Sequence, residues 1–270
     1  MLFNTKKWSL AGLLLLSSSM ACAAPITASF SGVADTGASF NQFNVTAGSV
    51  TVNVSGWSDT KNNFKNGVNK DNKIERAKDL DKYNGGWAME NKDEPNNTCG
   101  TNGHSADNFG TCAEKDYDFF MLAFSEAVSL TQATYGWING SASQNQVSVV
   151  ALNSATVNNT LNNRSWNGVK NNHTLSSDYA QMQSSSGYFT NFGSTNVANE
   201  FSTHWLIGAL NSAFGGTMGM EGNDGMKLAG VSFNKQATPP DSTSIPEPSS
   251  ILLFCLAIIG LAASGRRKLQ

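Results

Sequence analysis

Valine recurs at every second position through SVTVNVS (residues 49–55), so Val50, Val52 and Val54 share one face while Thr51 and Asn53 take the other. A period of two marks a half-buried strand. Residues 26–57 read as two or three such strands. Residues 62–72, rich in Asn, Lys and Gly, read as a loop, and residues 74–80 as one or two helical turns. In YNGGWAM (residues 83–89) paired glycines permit a turn before an apolar strand start. The stretch YDFFMLAF (residues 117–124) is apolar without alternation, which predicts a strand buried on both faces. AVSLTQATYGW (127–137), QVSVVAL (146–152), YFTNF (188–192), HWLIGAL (204–210) and MKLAGVSF (226–233) supply further strands. Residues 153–172 are Asn-rich and poorly periodic, and predict a loop or a weak hairpin.

About eight to ten strands at this spacing predict an all-β fold, a single jelly-roll-like β-sandwich. The ends read differently. Lys6 and Lys7 precede an apolar core and the triplet Ala21, Cys22, Ala23, the pattern of a signal peptide cut after Ala23 by signal peptidase. At the other end, ILLFCLAIIGLAA (251–263) with its small flanking residues approaches the roughly 17–25 residues that span a bilayer. Arg266, Arg267 and Lys268 follow at once, which places that end on the cytoplasmic side and the body outside. The domain plan is a signal peptide over 1–23, a β-sandwich over 24–237, a linker over 238–245 and a terminal signal over 246–270, with its transmembrane helix at 249–265.

Pro246, Glu247 and Pro248, the short hydrophobic segment and the basic finish together resemble the PEP-CTERM sorting signal of Gram-negative bacteria. That resemblance implies exosortase as partner, transient anchoring in the inner membrane, and then the cell surface or an exopolysaccharide and biofilm matrix. The two prolines hold the backbone extended and deny it a helix, leaving the segment open to a processing enzyme.

Composition narrows the body. Without Lys6, Lys7, Glu247, Arg266, Arg267 and Lys268, residues 24–245 hold 13 basic and 19 acidic side chains, a formal charge of −6. Phosphate backbones are held by clustered cations, so nucleic acid is excluded as a partner. With Cys22 in the signal peptide and Cys255 in the span, Cys99 and Cys112 remain, and in an oxidising compartment they predict a disulfide. Such a bridge stabilises by about 3 kcal/mol on loop entropy.

A second resemblance lies over residues 80–140. YNGGW (83–87), GHSADN (103–108), Asp118, Val128, Leu130, Gly136 and Trp137 are similar to a family of exosortase-dependent surface proteins with an HxxDN…GW segment. It implies no catalytic activity. His104 beside Asp107 has the composition of a proton shuttle, and Asp107, Asp116 and Asp118 are candidate ligands for a structural calcium. The alternative is that Asp107 and Asn108 cap turns while His104 orders the loop.

No nucleophile elbow, zinc-protease helix, phosphate loop or dinucleotide fingerprint occurs. A glycosidase needs two facing carboxylates, and Glu114, Glu126, Glu200 and Glu221 do not declare a pair. Aromatic faces suit sugar rings, which makes Trp166, in its Asn-rich loop, and Trp57 the candidate ligand-binding residues, whereas Trp137 and Trp205 read as core. The expectation is a non-enzymatic, cofactor-free surface or matrix protein. The alternatives are a carbohydrate-binding module and a polysaccharide-acting enzyme.

Overall fold

The computed structural model describes residues 24–35, 40–60, 64–65, 68–69, 73–83, 85–92, 105–109, 116–153, 161–236, and Leu253, Leu256 and Ala257. The signal-peptide residues Ala21 and Ala23, the Cys99–Cys112 pair, His104, the motif Pro246, Glu247 and Pro248, and the basic residues Arg266, Arg267 and Lys268 lie outside them. So does nearly all of the proposed span; Leu253, Leu256 and Ala257 are helical and exposed. Among the described residues no helix is long and apolar enough to cross a membrane. The chain divides into two units, residues 1–235 and 236–270.

The first unit is all-β, with a single α-helix among its described residues. Its strands are β1 (Ile26–Ser29), β2 (Gln42–Ala47), β3 (Val50–Ser58), β4 (Phe64–Lys65), β5 (Val68–Asn69), β6 (Glu75–Arg76), β7 (Asp79–Tyr83) and β8 (Gly86–Glu90). After them come β9 (Ala106–Asp107), β10 (Asp118–Ile138), β11 (Gln146–Leu152), helix α1 (Trp166–His173), β12 (Thr174–Gln181), β13 (Gln183–Ser184), β14 (Tyr188–Asn191), β15 (Ser202–Ala209) and β16 (Gly225–Lys235). Residues 75–76 and 79–80 are extended in β6 and β7 rather than helical, and within the expected loop Phe64–Lys65 pairs with Val68–Asn69 as two short antiparallel strands.

The two strands expected over 117–124 and 127–137 are one strand of 21 residues, β10. Its first half pairs with β3 on one side and β15 on the other, and its second half with β14 and β16. Register shifts fall between Ala123 and Val128 against β15, and at three points between Leu130 and Trp137 against β16. Each extra residue bends and twists the strand. Fourteen strands thereby join in one sheet instead of the two separate sheets expected of a sandwich.

The main core draws on both halves of that sheet. Phe43 of β2 meets Trp87 of β8 with ring centroids 4.5 Å apart, and Phe124 of β10 meets Phe233 of β16 at 5.2 Å. Trp87 donates its Nε1–H to Phe30 O at 3.1 Å, and Trp205 to Val128 O at 3.2 Å, so both indoles are buried without an orphaned polar atom. A smaller cluster lies on the opposite face of β10, β11 and β15, where Phe119, Val150, Leu152 and Leu206 pack under Trp166 and Val169 of α1. Alternation explains the division. Val147, Val149 and Ala151 enter the main core, while Val150 and Leu152 enter the second. Each of these valine and leucine side chains, fully buried, stabilises the fold by roughly 1.5–3 kcal/mol. Gly208 of β15 lets Phe119 sit against the sheet, since a Cβ there would lie 2.3 Å from Asp118 O.

Candidate functional site

Strand β9 is two residues long, yet it brings the Ser-Ala-Asp-Asn stretch to the edge of β16, pairing Asp107 with Gly225. Asp107 accepts from Ser105 Oγ at 2.6 Å and from Phe109 N at 3.1 Å, and its own N–H donates to Asp118 Oδ2 at 3.2 Å. Asn108, fully buried, donates Nδ2–H to Leu210 O at 2.8 Å and to Asp224 Oδ2 at 2.7 Å. Its Oδ1 accepts from Gly222 N and Asp224 N, each at 3.0 Å. Asp224 Oδ1 in turn accepts from Gln146 N at 2.6 Å. Side chains here replace the backbone partners that the loop ends lack.

Burial pushes the Asp107 carboxyl up to about 7, against the pull of its bonds to Ser105 and Phe109. Of the calcium candidates, Asp107 and Asp118 meet in this network, whereas Asp116 lies near Asp59 and raises its pKa. Among the described residues no group of three or more His, Cys, Asp or Glu is arranged to hold a metal ion.

A cleft opens at the head of α1. Ser165 caps that helix, its Oγ accepting from Gly168 N at 3.1 Å, and Trp166, Val169 and His173 turn one face inward. The cleft, of about 330 Å³, is lined by Asp59 after β3, Tyr117 before β10, Trp166 and Asn167 of α1, and Ser212 and Met218 beyond β15. Tyr117 links two carboxylates: its N–H donates to Asp59 Oδ1 at 2.8 Å and its Oη–H to Glu221 Oε2 at 2.9 Å. Glu221 Oε1 also takes Ser212 N–H. Desolvation raises Asp59 to about 8, with Asp116 adding to the rise. Burial likewise pushes the Tyr117 hydroxyl well above its usual range.

Trp166 is not exposed as its Asn-rich surroundings suggested. It is 3% exposed, packed 4.6 Å from Phe119 and 6.0 Å from Phe214 between ring centroids. Only its cleft-lining edge remains for a ligand. Trp57 is half-buried against the same apolar cluster, with the Arg76 guanidinium 5.1 Å over its ring, and it does not line the cleft. Trp205 is buried as expected, while Trp137 is half-buried under Lys227, whose ammonium lies 5.0 Å from its ring. Of the carboxylates considered, Glu221 bonds to the cleft residues Tyr117 and Ser212, and Glu126 pairs with Lys235 at 2.8 Å. Asp59 carried no sequence signal, because its burial comes from Tyr117 and Trp166, far along the chain.

Comparison with known proteins bears on the tail. Residues 244–268 match the PEP-CTERM protein-sorting motif. The chain carries a PEP-CTERM sorting domain. A PEP-CTERM protein is exported, held transiently at the membrane and then surface-associated, and its motif implies exosortase as the processing partner. The match covers the tail alone and leaves residues 1–243 outside it. No curated protein matches the chain. No solved structure matches it either.

Proposed function

We propose that the chain is a non-enzymatic component of the exopolysaccharide or biofilm matrix of a Gram-negative bacterium. In this reading signal peptidase cuts after Ala23, the helix at 249–265 anchors the chain, and exosortase releases the body at the Pro-Glu-Pro motif. The sorting motif at residues 244–268 is the observation that carries the reading. The body supports it in kind: it is all-β with a well-buried apolar core, as Phe43 against Trp87 illustrates. The buried carboxylates of the β9 network are bonded to backbone N–H groups, which suits a structural role better than a catalytic one. A Cys99–Cys112 disulfide would staple the segment between them.

Replacing Pro246, Glu247 and Pro248 together with alanine is the test. Immunoblots of fractionated cells should show full-length protein accumulating in the membrane and little at the surface. Release at the wild-type level would remove the sorting step from this account.

A further inference from the structure

The cleft at the head of α1 holds an unused donor. Trp166 Nε1 is buried and, among the described residues, meets no acceptor at full hydrogen-bond geometry, approaching only the Asp59 carboxyl. It faces the Asp59 carboxyl closely enough to favour that group's charge. A buried N–H left without an acceptor is destabilising by about 1–3 kcal/mol, so sequences rarely keep one without a use. The indole cannot turn away, because Phe119 and Phe214 grip its ring. Trp166 lines the cleft, so the donor is held just behind its wall before anything binds.

The surroundings select the ligand. Asp59, raised to about 8, is a neutral carboxyl near pH 7, able both to donate and to accept. The negative charge of Asp116 reaches it and disfavours an anion. A cation finds little free carboxylate: Glu221 already takes Tyr117 Oη–H and Ser212 N–H. Met218, 75% exposed at the mouth, adds an apolar surface. Asn167 and Ser212 add neutral polar groups. Hydroxyls set on a ring with an apolar face match this combination. The volume, about 330 Å³, lies at the small end of ligand sites, which run from about 300 to 1,000 Å³.

We infer that this cleft binds one neutral sugar residue, a ring hydroxyl bridging Trp166 Nε1–H and the Asp59 carboxyl while the ring's apolar face lies toward Met218. The inference rests on the matrix reading and deepens it by naming a ligand class. It also moves the sugar contact from an exposed indole face to a buried indole edge.

The test uses the full-length chain in detergent micelles and saturation-transfer NMR with glucose, galactose, mannose, N-acetylglucosamine and galacturonate in turn. At least one neutral sugar should saturate. Trp166→Phe, which keeps the ring and removes the donor, should weaken it about ten-fold, as loss of one hydrogen bond implies. Asn167 is exposed, so Asn167→Trp should block the cleft and abolish binding without disturbing the core. Circular dichroism checks that each variant is folded, and if Trp166→Phe is not, Asn167→Trp decides alone. The inference is overturned if no neutral sugar binds the wild-type chain, if binding survives Asn167→Trp, or if galacturonate binds more tightly than galactose. Such a failure, with the Pro-Glu-Pro variant still trapped in the membrane, would sink the sugar site alone, whereas release of that variant at the wild-type level would sink the sorting step on which the matrix reading rests.

Discussion

Asn108→Ala is expected to lower the stability of the body by about 4 kcal/mol, seen as a fall of roughly 8–16 °C in the thermal midpoint of a chain this size. The side chain is fully buried and makes four hydrogen bonds, to Leu210 O, Asp224 Oδ2, Gly222 N and Asp224 N. Alanine removes all four at once. Leu210 O and two backbone N–H groups then lose a partner where water does not reach them, and each buried group left unsatisfied costs about 1–3 kcal/mol. The two segments that Asn108 ties, at Leu210 and at residues 222–224, lie more than a hundred residues away from it along the chain, so no local bond can substitute. Asn139→Ala is the control. Asn139 also donates Nδ2–H to a backbone carbonyl, Asn223 O at 2.9 Å, but the bond is exposed and its loss should cost under about 1 kcal/mol. Equal midpoints for the two variants would mean that the β9 network does not hold the fold together.

How much of this was legible depended on how local the signal is. The alternation of Val50, Val52 and Val54 marked β3 because its two faces meet different surroundings. YDFFMLAF announced burial on both sides, and the second cluster under α1 is the reason: Phe119 goes to it while Phe120, Leu122 and Phe124 go to the main core. Strand β12 was missed. Its sequence, TLSSDYAQ, has little alternation to read, since it lies at the end of the sheet path with most residues half-exposed. Helix α1 was missed as well, hidden by Asn and Gly that disfavour helices, although Ser165 as a cap and Trp166, Val169 and His173 on one face were there to find. Missing the helix misplaced Trp166. The fusion of two expected strands into β10 follows from bulges, which no period-two pattern displays. The site was harder still. Asp107 and Asn108 were picked out by residue type, but Asp59 and Glu221 are linked through Tyr117 of the cleft, and that pairing exists only in three dimensions. The sorting motif needed no fold, because its residues act in sequence order.

Between pH 7 and 8 the body is expected to lose stability as the solution becomes more alkaline, by about 1.4 kcal/mol per pH unit at most, and Asp59→Asn should remove most of that slope. The folded chain holds the Asp59 proton to about pH 8, whereas the unfolded chain gives it up near 3.9. From pH 4 upward the unfolded state therefore binds fewer protons than the folded one, and stability falls until the folded carboxyl itself ionises. Asp107, raised to about 7, acts in the same direction over the lower part of that range. His173 and His204, both lowered by burial, act in the opposite direction, but their contribution is complete once the unfolded imidazoles lose their protons near pH 6.5. Above pH 7 Asp59 is left to dominate. Asparagine keeps the acceptor for Tyr117 N–H and cannot ionise, so the variant should match the wild type near pH 4 and exceed it at pH 8.5. Thermal midpoints of both proteins at pH 4, 6.5, 7.5 and 8.5 decide the matter. A wild-type midpoint that stays level from 6.5 to 8.5 would mean that water reaches Asp59 and that its carboxyl is charged at neutral pH. The donor assigned to that carboxyl in the sugar site would then be lost.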